Sequence, residues 1–215
     1  GRSQGSSWRL LRRLKASMWL TIFAAREPVP AVGRKSVKAP RVQASQFRSS
    51  SNSGRSRVIG IVPGKIITES LVHDLPVGPD GVSGDVTKDV AKIAVVGRHG
   101  INGNIAVGFV KGFGLQGGAI ASTVTHDSHN ICVVGVSDAD IEVAVNRLGD
   151  IEGGFVVVQD GAVLAELALP IAGLMSEEPF EAVRDRLREL RAAAVSLGSK
   201  LDEPFLQLAF LALPV

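Results

Sequence analysis

Cysteine is nearly absent. Cys132 is the single one in 215 residues, and it sits inside an apolar run. A disulfide framework and a four-cysteine metal site are therefore excluded. So are zinc deaminases of the H-x-E…P-C-x-x-C type, which need paired cysteines. Cys132 reads as a small buried hydrophobe in a reducing compartment. No apolar run reaches the ~20 residues that span a bilayer, and there is no internal repeat. Acids are almost missing from the start of the chain. Residues 1–57 hold 13 of the 24 Lys+Arg and one acid, Glu27, whereas residues 58–215 hold 11 bases against 20 acids. The formal +3 is thus +12 joined to −9. The isoelectric point near 9.3 belongs mostly to the leading segment, so neither a nucleic-acid nor a membrane partner is expected of the folded part.

Residues 1–57 are rich in Arg and Ser, interrupted by Pro28, Pro30 and Pro40, and lack a sustained period of 2 or 3.6. Such a composition buries too little apolar area to offset chain entropy, which predicts a disordered leader. Residues 16–25 are apolar and follow Arg12, Arg13 and Lys15. That layout resembles a secretory signal or transit peptide. Because the chain starts with Gly1 rather than Met, the segment is read as a non-native leader, and the folded part as cytoplasmic.

Order is expected from Arg57. The β-branched runs 57–62 and 65–68 flank Pro63-Gly64, a turn between two strands. Residues 76–89 read as a loop and 92–96 as a strand. Eight glycines follow between Gly97 and Gly118. Gly112-Phe-Gly-Leu-Gln-Gly117 matches G-x-G-x-x-G, but a strand sequence follows it where a dinucleotide site needs a helix, so that reading is rejected. Ser137 caps a helix whose buried stripe is Ile141, Ala144, Val145 and Leu148. Residues 153–158 and 162–167 form a hairpin around Asp160-Gly161. Ser176 is expected to cap a second helix, with a stripe at Phe180, Val183, Leu187, Leu190 and Ala194 and a stop at Gly198. Residues 204–214 read as a final strand. The fold class is α/β, a mixed α+β arrangement in which a mixed β-sheet sandwich packs with at least two helices.

Five consecutive polar residues, His126-Asp-Ser-His-Asn130, stand between apolar β-branched runs. Each would need a partner if buried. Metal ligation suits two imidazoles and a carboxylate, but the spacing matches no H-E-x-x-H helix. In a strand His126 and Ser128 face one way, Asp127 and His129 the other, so joint ligation requires a turn. Nucleophilic catalysis by Ser128 lacks the glycines of G-x-S-x-G. Ligand recognition or proton relay by His126 and Asp127 demands least. A hydrogen-bonded corner between loops is the bland alternative. Arg98 and His99 open the glycine-rich loop and are outer candidates.

Several blocks follow one another here: Gly108-Phe-Val-Lys-Gly-Phe-Gly-Leu115, Gly118-Ala-Ile-Ala-Ser122, His126-Asp-Ser-His-Asn130 and Ala144-Val-Asn-Arg147. Gly153-Gly154, Leu169-Pro-Ile-Ala-Gly-Leu-Met-Ser176 and Phe210-Leu-Ala-Leu-Pro-Val215 complete the series. In this order residues 57–215 resemble the C-terminal domain of adenine deaminase, of the amidohydrolase superfamily, with residues 1–57 outside the resemblance. The resemblance implies hydrolysis of adenine to hypoxanthine and ammonia by a metal-activated hydroxide with an acid/base pair. It implies a divalent metal, manganese or iron, and a homo-oligomeric enzyme. In that family the metal ligands and catalytic acids lie on a barrel of ~250 residues, so no catalytic residue and no metal ligand is identified in this chain. His126, Asp127, Ser128, His129 and Asn130, with Arg98 and His99, become substrate-pocket candidates. The expectation is an accessory domain, inactive without the barrel. The alternative is a stand-alone purine- or metal-binding module, or a non-functional remnant.

Overall fold

A computed structural model describes residues 33–49 and 53–213. The apolar stretch at 16–25 lies outside the described residues. One mixed sheet of eight strands runs through the domain in the order β10-β9-β7-β8-β5-β6-β1-β2. Its strands are β1 (Arg55–Ile61), β2 (Thr68–Asp74), β5 (Val90–Val96), β6 (Ile105–Lys111), β7 (Ala119–Ser122), β8 (Ile131–Gly135), β9 (Gly154–Gln159) and β10 (Ala162–Ala168). Only β1 and β6 pair in parallel within it. A two-stranded ribbon, β3 (Val77–Gly78) with β4 (Gly81–Val82), occupies the loop expected at 76–89.

Alternation along the central strands sorts their side chains to two faces. Ile93, Ile120, Cys132, Val134 and Val157 point to one, where Leu190, Ala194 and Leu208 cover them. Ala94, Ala121, Val133, Val156 and Val158 point to the other, under Ile141, Ala144, Val145 and Leu148. The first pair of covering elements is α2 (Phe180–Ser196) and α3 (Pro204–Phe210); the second cover is α1 (Asp138–Asp150). The expected α+β layering is what forms. Both faces of the central strands are covered, which is why they read as continuous apolar runs. Lys92 is the exception on that side. Its buried ammonium lies 2.5 Å from Asp138 in the first turn of α1, where a carboxylate also suits the helix dipole.

Ser137 caps α1 as expected, its hydroxyl accepting from the Asp140 amide at 3.1 Å. The β9–β10 hairpin and the turn at Pro63-Gly64 between β1 and β2 also form. Two expectations need correction. α2 begins at Phe180 behind Pro179, and Ser176 only accepts from the Glu178 amide one turn earlier. Of its stripe only Leu190 and Ala194 are buried, while Phe180 is 74% exposed and Val183 packs only partly against the core. Residues 204–210 are helix rather than strand. Pro204 supplies a first-turn residue with no lost hydrogen bond, and Leu206, Gln207, Leu208 and Ala209 are all good helix formers.

Within the basic segment, residues 33–49 differ from expectation as well. Residues 33–49 follow the α1 face as an ordered strap, with Val42 and Phe47 essentially inaccessible. Asn146 accepts from the Val42 amide and donates to the Val42 carbonyl, both at 3.0 Å, and Glu142 accepts from the Ala44 amide at 2.8 Å. Side chains of α1 thus satisfy backbone around Val42 and Ala44, where the strap pairs with no strand. Structure starts well before Arg57.

Candidate functional site

β7 and β8 are neighbouring antiparallel strands, with Ser122 opposite Cys132. The polar knot is part of the loop between them. Two buried threonines anchor the approach from β7. Thr123 donates to the Gly173 carbonyl at 2.6 Å and accepts from the Gly154 amide at 2.8 Å. Thr125 donates to the Asn130 carbonyl at 2.6 Å, while its own carbonyl accepts from the His129 amide at 2.9 Å. The loop therefore closes tightly on itself, and His129 adopts φ +50° to complete it.

Arg98 continues from β5, the strand beside β8. Its side chain is almost wholly buried, and it makes no ion pair among the described residues. Instead Nε donates to the His129 carbonyl, and Nη1 donates to the Ala172 carbonyl at 2.9 Å. Arg98 thus ties the knot to the 169–175 loop. Burial lowers its pKa below the ordinary guanidinium value, yet arginine keeps its charge at neutral pH. Gly173 makes room for it: a Cβ there would stand 2.6 Å from Nη1, and its φ is +68°. The strap closes the far side, where the Lys38 amide donates to the Arg98 carbonyl at 2.7 Å.

The seven candidates therefore come together, but in two roles. Arg98 points inward and fixes the loop. His99 hydrogen-bonds through Nε2 to the Ser128 carbonyl at 2.8 Å, also a bracing contact. Asp127 and Ser128 are exposed, and Asn130 donates to Ser128 Oγ at 3.2 Å. His126 is half-exposed; its amide donates to the Ala209 carbonyl at 3.1 Å, and its ring stacks on Phe210 with centroids 6.1 Å apart. The His129 ring lies 6.2 Å from that of His126, and its Nδ1 is buried with no hydrogen-bond partner.

The glycine-rich stretch from Gly112 packs against the end of α2: a Cβ on Gly114 would meet the Gly198 carbonyl at 2.8 Å, and one on Gly198 would meet Gly114 at 2.7 Å. Its glycines permit backbone contact, and a strand follows, not a helix. A cleft of about 360 Å³ lies between the β1–β2 turn and α3, lined by Pro63, Gly64, Leu201, Leu206 and Phe210 among others. The knot borders this cleft only through Phe210. Sequence reasoning gave Phe210, Thr123 and the strap's Lys38 no part here; Phe210 and its block were in view, but the helix that turns the ring onto His126 was not.

The knot does not fit a divalent metal. Among the described residues no three His, Cys, Asp or Glu side chains converge. His126 lies against Phe210, and His99 is committed to a carbonyl. Nor is any helix among the described residues long and apolar enough to cross a membrane.

An eight-stranded mixed sheet clad by helices on both faces, with a braced polar loop at one strand end, defines an α+β domain. The family model of the adenine deaminase C-terminal domain matches residues 65–215, and the chain belongs to that family. Curated relatives carry the same name in full. The chain is 72% identical over 194 residues to adenine deaminase of Brucella abortus (strain 2308), a match covering 90% of this chain and 33% of the relative. It is 60% identical over 194 residues to adenine deaminase 1 of Rhizobium meliloti (strain 1021), covering 90% and 34%. With adenine deaminase 1 of Agrobacterium fabrum the identity is 57% over 213 residues, covering 95% and 37%. The chain thus spans about a third of the length of these relatives. Matches over nine-tenths of the chain reach into the basic segment, so the resemblance is wider than residues 57–215.

Proposed function

We propose that this domain serves an adenine deaminase, in which adenine and water give hypoxanthine and ammonia by breaking the C6–N6 bond and forming C6–O. In this reading the knot is one wall of the purine pocket. His126, Asp127, Ser128, His129 and Asn130 offer donors and acceptors along one braced loop, suited to the nitrogen-rich edge of a purine. Arg98 and His99 hold that loop in place and stay out of contact with the base. The divalent metal, manganese or iron, belongs to another part of the enzyme. The same reading has a cytoplasmic homo-oligomer acting on free adenine, with no part for nucleic acid or membrane.

The observation that carries the pocket role is the pair of imidazoles, His126 and His129, with rings 6.2 Å apart on a loop that Arg98 and Thr125 hold in place. A stand-alone metal module finds no support in this donor set. The test is complementation: purified 1–215 is mixed with a separately produced catalytic portion of the Brucella abortus relative, and ammonia release from adenine is followed. Activity only in the mixture is expected. Ammonia release by 1–215 alone, or a mixture no more active than the catalytic portion, refutes the proposal.

A further inference from the structure

The turn from Pro63 to Ile67 and the helix α3 form a preassembled platform. Gln207, 5% exposed, donates from Nε2 to the Lys65 carbonyl at 3.1 Å and locks the two elements together. Around the cleft between them, large apolar side chains face solvent: Ile66 is 48% exposed, Ile67 54% and Leu206 52%. The cleft lining adds Pro63, Leu201 and Phe210, with Lys200, Asp202 and Glu203 as its charged residues. Clustered apolar surface on a rigid base marks an interaction site, and nothing has to reorganise for a partner to sit on it.

We propose that this platform is where the remaining portion of an adenine deaminase packs against the domain. The proposal rests on the functional reading above and adds the surface through which it works. Two observations favour this occupant. About two-thirds of each relative's length lies outside the part matched by this chain, and so large a portion needs a docking face on the domain. The platform is also continuous with the knot, since Phe210 forms a cleft wall on one side and stacks on His126 on the other. Packing there places the knot at the seam between the two parts, which a purine pocket shared between them requires. The rival apolar face, at Val163 and Leu164 on the β10 edge, surrounds a cleft lined by Arg147, Glu166, Arg186 and Glu189. Those charges are largely paired within the domain, Arg147 with Glu166 and Arg186 with Glu178, and that face has no link to the knot.

The test joins 1–215 to the catalytic portion of the Brucella abortus relative in place of its own matching third. Hydroxyl-radical footprinting then compares side-chain oxidation in the fusion with that in 1–215 alone. Oxidation of Ile66, Ile67 and Leu206 is expected to fall at least fivefold in the fusion, with Val163 and Leu164 unchanged. Leu206→Asp and Ile67→Asp, both at exposed positions, are expected to leave the melting of 1–215 unchanged and restore oxidation of the remaining platform residues in the fusion. Unchanged platform oxidation, or protection centred on Val163 and Leu164, overturns the proposal. Ammonia release is read in parallel: an active fusion with an unprotected platform overturns the docking surface alone. An inactive fusion with a protected platform supports the surface and counts against the deaminase reading.

Discussion

Replacing Arg98 by Met removes the pin between the knot and the 169–175 loop while keeping an apolar stem of similar length. Two charge-assisted hydrogen bonds disappear, to the His129 and Ala172 carbonyls. Bonds to charged groups contribute about 1.5–3 kcal/mol each, and the two carbonyls are left without that partner. Against this, the desolvation of a buried guanidinium no longer opposes folding, and Met restores part of the packing. The balance is a loss of about 2–4 kcal/mol, because the lost partners outweigh the relieved desolvation when only one side of a buried polar contact is removed. For a domain of this size that corresponds to roughly 5–15 °C in Tm. Urea denaturation of 1–215 followed by far-ultraviolet circular dichroism gives the first number. Imidazole resonances of His126 and His129 report the loop itself, since loosening it changes their shifts below the transition, where the sheet is intact. Arg98→Lys is expected to behave nearly as badly, because one ammonium cannot reproduce the planar fork that reaches both loops. A loss under about 0.5 kcal/mol for Arg98→Met, well below the value of even one such bond, with unmoved histidine resonances, refutes the bracing role.

Three further outcomes follow from the packing and charge placement. Phe47→Ala should cost about 3–5 kcal/mol in urea melts, as for a buried aromatic, and an effect near zero would mean that the strap is not part of the folded body. Arg147 pairs twice with Glu166 at 2.6 Å and holds its carboxyl below the ordinary range. A depressed carboxylate stabilises the fold above its unfolded pKa and loses that contribution as pH falls through the folded one. The pair is partly exposed, so Arg147→Met should cost only about 0.5–1 kcal/mol near neutrality, with the gap to wild type closing in acid melts; a gap that widens toward acid contradicts the pairing. Burial pushes the Cys132 thiol up to about 12, so alkylation at pH 8 should be about 1,000-fold slower in native buffer than in guanidinium, and rapid native labelling would contradict its burial.

Much of the sheet could be read from the chain because its central strands are apolar on both faces and its turns use Pro63-Gly64 and Asp160-Gly161. α1 was equally plain, with a serine cap and a full stripe. What escaped reading depended on tertiary context. The 204–210 stretch is apolar but for Gln207, and a short apolar run carries no period that separates strand from helix. The strap has no period either, since Asn146 and Glu142 on a distant helix satisfy its backbone. At the site, adjacency in sequence made the knot visible, but the division of labour was not. Arg98 and His99 point at carbonyls on loops about thirty and seventy residues away, and only the register of β5 against β8 brings them there.

The most direct measurement is steady-state ammonia release by the fused enzyme carrying His126→Ala or His129→Ala. If these imidazoles contact the purine, KM for adenine rises at least tenfold in each variant while the thermal melt stays within a degree or two of the parent. Unaltered kinetics in both variants, with folding intact, would show that the knot takes no part in holding adenine.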